Sequence, residues 1–183
     1  MVRVSVSESL TQHTSKIAQV DRVRYRLVLM PEAVHVRAEI LERMLQEARR
    51  EPGQECCGLL GGTGGVITTI FPARNALASG AGAISRTFPA GKALAGARAY
   101  EIAAGELFRI FREMRDAGLQ HLGIYHSHPE GDNQPSPSDI ERAYYPEAAY
   151  FILSPQPDAP RPARAFTIRD GKVTELRIEM VVS

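Results

Sequence analysis

The chain has 183 residues, the length of one globular domain, and its 44% hydrophobic and 23% charged residues make a folded rather than a disordered composition. Lys+Arg of 22 against Asp+Glu of 21 leaves a formal charge of +1, which supplies no general attraction to nucleic acid or to an anionic membrane. Its two cysteines, Cys56 and Cys57, are neighbours and cannot staple distant elements, so nothing points to a disulfide framework or to secretion.

No run approaches the roughly 18 apolar residues of a spanning helix. Residues 1–19 lack the apolar core of a signal peptide, and Glu8 weighs against a transit peptide, so a soluble cytoplasmic protein is expected. Residues 1–20 are polar and weakly periodic. Residues 1–24 are expected to be a tail or extension, with the domain proper over 25–183.

Tyr25 to Met30 (YRLVLM) predicts a strand, and Pro31 then stands where a first helical residue tolerates proline. Ala33, Val36, Ile40, Leu41, Met44, Leu45 and Ala48 fall at helical spacing, so a helix is expected from Pro31 to the stop at Glu51-Pro52-Gly53. Cys57 to Gly62 and Val66 to Phe71 predict two strands joined by the glycine-rich turn Gly61 to Gly65. Residues 72–98 predict a long connection with one short strand near Phe88. Ala99 to Ala117 predicts a second amphipathic helix closed by Gly118. His121 to His128 predicts a strand, Pro137 to Tyr145 a short helix, and Ala149 to Ser154 a further strand. Ala165 to Ile168 and Thr174 to Val182 predict a closing hairpin that turns at Asp170-Gly171. Strands mixed with two long helices predict one α/β domain, a central mixed sheet flanked by helices.

The informative stretch is Tyr125-His126-Ser127-His128-Pro129, followed by Pro135-Ser136-Pro137-Ser138-Asp139. Alternate side chains of a strand share a face, so His126 and His128 point together and form half of a metal site. Asp139 lies eleven residues beyond His128, far enough to fold back as a third ligand. Two histidines and a carboxylate leave the fourth position of a tetrahedral zinc open, the catalytic rather than the structural arrangement. Each piece also has a plainer reading. A lone His-x-His pair is more often simple polarity than a ligand pair, and Ser136-Pro137 with Asp139 makes a good helix cap.

Taken together, the residues resemble the JAMM (MPN-plus) zinc metalloprotease family. Its signature is matched by His126-x-His128, seven residues, Ser136, two residues and Asp139. Its upstream Glu-x-Cys-Gly is matched by Glu55-Cys56-Cys57-Gly58. The order of elements from about Tyr25 to Val182 agrees as well. The resemblance implies a JAMM/MPN-like domain in which His126, His128 and Asp139 bind one Zn²⁺ per chain. It implies Glu55 as the general base and Ser136 as a hydrogen-bond donor to the oxyanion. It implies a peptidase or isopeptidase cutting after the C-terminal Gly-Gly of a ubiquitin-like or sulfur-carrier protein, with no nucleic-acid or membrane partner. A non-catalytic binding module of the same fold is the alternative, although inert members lack the ligands present here. Cys57 is expected to pack behind the site, whereas Cys56 has no assigned role.

Near matches fail on single residues. Glu130 and Gly131 stand where a metallo-β-lactamase box needs Asp and His. The Pro-Cys-x-x-Cys of a zinc deaminase is absent. No histidine follows His128 to complete a cupin-like set, and Gly61 to Gly65 lacks the Lys-Ser/Thr of a phosphate loop.

Overall fold

The structure is a computed structural model, and it describes residues 32–78, 100–130 and 132–182. The expected N-terminal tail, the strand at Tyr25 to Met30 and the short strand near Phe88 lie outside the described residues.

The described elements are β1 (Ala33–Arg37), α1 (Ala38–Arg50), β2 (Cys57–Thr63), β3 (Val66–Ala73), α2 (Ala104–Asp116), β4 (Gln120–Ser127), α3 (Pro137–Glu141), β5 (Ala149–Leu153), β6 (Ala163–Arg169) and β7 (Lys172–Val181). The strands are ordered β1-β3-β2-β4-β5-β6-β7, and β7 pairs back onto β1, so the mixed sheet closes on itself. Pairing is parallel for β1 with β3, β1 with β7 and β4 with β5, and antiparallel elsewhere.

The two hairpin turns obey local chemistry. Gly64-Gly65 and Asp170-Gly171 both have positive φ at each position, the backbone of a two-residue turn that matches the twist of its flanking strands. Gly61 and Gly62, expected both to end the strand from Cys57 and to open the turn, lie within β2, which runs on to Thr63. α2 ends as anticipated at Gly118: Gly118 donates to the Arg115 carbonyl and Leu119 to that of Met114, a Schellman closure.

Three expected helix boundaries are corrected. Ala33 to Arg37 is a strand, and α1 begins only at Ala38. Val34 and Val36 are buried while His35 is exposed, a two-residue period secured by strands on either side. The coincident helical spacing of Ala33, Val36 and Ile40 concealed it. The second helix starts at Ala104, because Ile102 pairs with Asn75 in an isolated bridge. The third stops at Glu141 rather than reaching Tyr145.

The sheet has two buried faces. Leu60, Tyr125, Phe151 and Leu153 face α1, packing with its Ile40, Met44, Leu45 and Ala48. Leu59 packs on Ile110 and Met114 of α2. Ile124, Tyr150 and Ile152 pack with Phe166, Ile168 and the α3 residue Ile140. Gly58 is required by the first face: a Cβ there would lie 2.4 Å from the Phe71 carbonyl and 2.5 Å from the Tyr125 ring. Among the described residues, no helix is long and apolar enough to cross a membrane.

Candidate metal centre and active site

β4 carries the site because its last turn of alternation places Ile124, His126 and then His128 on one face, toward α3. His126 is 1% exposed. The Nε2 atoms of His126 and His128 lie 3.1 Å apart. Asp139 meets both, with Oδ1 3.4 Å from His126 Nε2 and Oδ2 3.4 Å from His128 Nε2. One donor atom from each of the three residues falls within 4.8 Å of the other two.

Asp139 is held by its own helix end. Ser136 is the N-cap of α3: its Oγ accepts from the Asp139 N–H at 3.2 Å, while its N–H donates to Asp139 Oδ2 at 2.7 Å. The Ser136 hydroxyl also reaches Asp139 Oδ2 at 2.7 Å. The capping box and the metal-ligand reading are compatible, since the cap holds Oδ2 while Oδ1 and Oδ2 face His126 and His128.

The opposite side of His128 is fixed as well. Its Nδ1 lies 3.1 Å from the Asp132 carbonyl, which requires the proton on Nδ1, so that in the neutral ring the Nε2 lone pair faces inward. The loop bearing that carbonyl is tied down by two amides. Asn133 donates to the Arg161 carbonyl at 2.7 Å, and Gln156 donates to the Pro129 carbonyl at 3.0 Å. Tyr100 stacks on His126 with ring centroids 4.6 Å apart, walling the imidazole on its open side.

The donor set fits a borderline cation. Two imidazole nitrogens and a carboxylate oxygen converge, and no single proton arrangement satisfies all three as well as a cation between them. Charge follows the same pattern. Burial tends to raise the Asp139 carboxyl, but hydrogen bonds from His126, His128 and Ser136 outweigh it and hold the group well below the usual carboxylate range. Burial pulls His128 down, yet its bonds to Asp139 and the Asp132 carbonyl leave it net raised.

Glu55 reaches this site through strand pairing. Cys57 is paired with His126 in antiparallel register, so continuing one step places Cys56 against Ser127 and Glu55 against His128, on the histidines' face. Glu55 is 6% exposed. Burial lifts its carboxyl from 4.5 to about 8, with His128 opposing that rise and Asp139 adding to it. Cys57 is buried with its thiol directed at the Ala73 carbonyl at 3.7 Å, as expected of a packing residue. Burial pushes the Cys56 thiol up to about 11, which leaves it a poor nucleophile.

Beside Asp139 opens a cavity of about 360 Å³, with Leu59, Ile102, Leu107 and Ile124 as its apolar floor and Tyr100, Tyr144, Tyr145 and Arg142 around it. It lies on the same sheet face as the histidines.

The sequence profile described as prokaryotic homologs of the JAB domain matches residues 37–169. The chain belongs to this JAB family. A CysO-cysteine peptidase of Mycobacterium tuberculosis is 30% identical over 148 residues, covering 80% of this chain and 90% of the relative. A desampylase of Haloferax volcanii is 34% identical over 125 residues, covering 67% of this chain and 78% of the relative. A solution structure of a Desulfitobacterium hafniense protein superposes with a TM-score of 0.63 at 26% identity, covering 81% of this chain and 93% of that one. This JAB protein is a hydrolase of the JAMM type. Its fold is the expected α/β arrangement of a mixed sheet with helices.

The five residues singled out in the sequence are brought to one place. Three others around them had no local signal. Tyr100 stacks on His126 although nothing in the spacing of its neighbours marks it for that role. Asn75 and Ser127, whose contacts are described below, look like ordinary polar residues at a strand end and in a strand.

Proposed function

We propose that the chain is a zinc-dependent peptidase or isopeptidase that hydrolyses the amide bond following the C-terminal Gly-Gly of a ubiquitin-like or sulfur-carrier protein. The observation that carries the reading is the convergence of His126, His128 and Asp139 beside a buried Glu55. In this reading residues 25–183 form the metalloprotease domain and residues 1–24 lie outside it.

His126 and His128 through Nε2, with the Asp139 carboxylate, would hold one Zn²⁺. When bound, that ion supplies Lewis acidity for the amide carbonyl and lowers the pKa of water. An amide is a poor electrophile with a poor leaving group, so two proton movements must be managed by the protein. Glu55 takes a proton from the attacking water and returns it to the departing nitrogen. Burial alone raises this carboxyl, and the charge of a bound cation beside it would oppose that rise, so that the group could both accept and deliver a proton near neutral pH. Ser136 places a hydroxyl at the edge of Asp139 and donates to its Oδ2 in this structure; turning that one proton to the substrate carbonyl would let it donate to the developing oxyanion. The cavity beside Asp139 takes substrate residues adjoining the scissile bond, and its apolar floor excludes water from them.

The substrate class draws its support from the two named relatives, one a CysO-cysteine peptidase and one a desampylase. A Gly-Gly tail suits a narrow approach because it carries no side chains. The test is incubation of the zinc-loaded chain with a Gly-Gly-tailed carrier fused to a short peptide, read by mass spectrometry. Cleavage after the second glycine is expected, with at least about tenfold slower release when Ala-Ala replaces Gly-Gly. Equal cleavage of the two tails would remove the Gly-Gly requirement.

Ser136 has separable duties. Ser136→Ala is expected to cost about 1 kcal/mol of stability through the lost cap. It should lower kcat by about 10²–10³ with zinc content unchanged. Steady-state kinetics with metal analysis checks this, and an unchanged kcat would restrict Ser136 to capping.

A further inference from the structure

The direction of the Glu55 carboxylate is set by a peptide unit that no ladder bond secures on its own. The link between Glu55 and Cys56 precedes β2, which starts at Cys57. Both polar groups of this one unit are taken by side chains from other segments. The Glu55 carbonyl accepts from Asn75 Nδ2 at 3.0 Å, and the Cys56 N–H donates to Ser127 Oγ at 2.9 Å.

The two side chains are themselves immobilised. Asn75 is buried, and its Oδ1 accepts from the N–H groups of Leu77 at 3.0 Å and Glu101 at 3.2 Å. That arrangement ties the end of β3 to the segment leading into α2. Ser127 is fully buried between the two histidines, and its own N–H donates to the Cys56 carbonyl at 3.0 Å. A rotation of the 55–56 peptide would break two buried hydrogen bonds at once and leave their partners unsatisfied.

We propose that Asn75 and Ser127 form a clamp on the Glu55–Cys56 peptide and are positioning residues for the Glu55 carboxylate. Ser127 links the base to the metal ligands directly, since it sits between His126 and His128 in β4 while gripping the residue after Glu55. Asn75 fixes the other end of the same unit. The inference rests on Glu55 being the general base, and the experiment separates the two ideas.

Asn75→Asp removes the donor to Glu55 while keeping the acceptor for Leu77 and Glu101, and Ser127→Ala removes the acceptor for Cys56. kcat, KM and zinc content are measured on the Gly-Gly carrier fusion for each variant and for the pair. All are made both with Glu55 and in a Glu55→Gln chain, and their folding is checked by thermal melting. Each single variant is expected to lower kcat about 10- to 100-fold, the scale of a misplaced catalytic group, with KM within about twofold and zinc at one per chain. The pair should lose less than the product of the singles, because both hold one peptide. In the Glu55→Gln chain neither should change the residual kcat by more than about twofold. Ser127→Cys, similar in size with a weaker acceptor, should recover part of the loss and serves if Ser127→Ala fails to fold.

Unchanged kcat in both singles, loss of zinc, or the same fold-loss in the Glu55→Gln chain would overturn the clamp while Glu55→Gln itself stays inactive. Full activity of Glu55→Gln would instead overturn the general-base reading, and the clamp with it.

Discussion

Replacing His126 or His128 with alanine is expected to take zinc content from about one per chain to near zero and to reduce peptide release by more than about 10³-fold. Only one imidazole and one carboxylate would remain, and two protein ligands rarely retain zinc. The two substitutions differ in what they expose. His126 is stacked on Tyr100 and buried, so its loss also opens a void beneath that ring. His128 is the more open of the two and is held by the Asp132 carbonyl, so its removal disturbs less packing. Elemental analysis after removal of loosely bound metal checks the prediction, and full zinc in the double variant would refute the ligand assignment.

Glu55→Gln is expected to behave in the opposite way: zinc stays at one per chain and kcat falls by about 10²-fold or more, the scale of a lost general base. Loss of zinc in this variant would make Glu55 a ligand. The same substitution has a second readout in the metal-chelated protein. The folded carboxyl is raised to about 8 from 4.5, so the stability it contributes is fully present below pH 4.5 and is lost as pH rises through about 8. Glutamine does not titrate. The chelated Glu55→Gln chain should therefore gain in melting temperature relative to the parent as pH rises from 4.5 to 8. A constant gap across that window would mean Glu55 ionises as freely as in water.

Much of the cluster was legible in the sequence because four of its candidate residues lie close together in the chain. His126 and His128 obey the two-residue period of a strand, and Ser136 with Asp139 obeys the three-residue spacing of a helix cap. Glu55 is different. It meets His128 through the β2–β4 register, 73 residues away in sequence, and only the family resemblance pointed to it beforehand. Asn75 and Ser127 had no such pointer, since a peptide gripped from two segments leaves no trace in either segment's pattern.

The fold divides along the same line. Hairpin turns at Gly64-Gly65 and Asp170-Gly171 and the closure of α2 at Gly118 follow from residues that tolerate positive φ. β1 does not show in the sequence pattern because five residues between two strands owe their conformation to their neighbours, not to their own period. Closure of the sheet through β7 and β1 was equally invisible, being a pairing of the two ends of the domain.

The central claim is that this constellation hydrolyses an amide bond only with one metal ion in place. It is tested most directly by titrating zinc into the chelated chain and measuring peptide release from the Gly-Gly carrier fusion at each addition. The account predicts no release at zero zinc, a linear rise, and a plateau at one equivalent per chain. Full release from the chelated chain would contradict it.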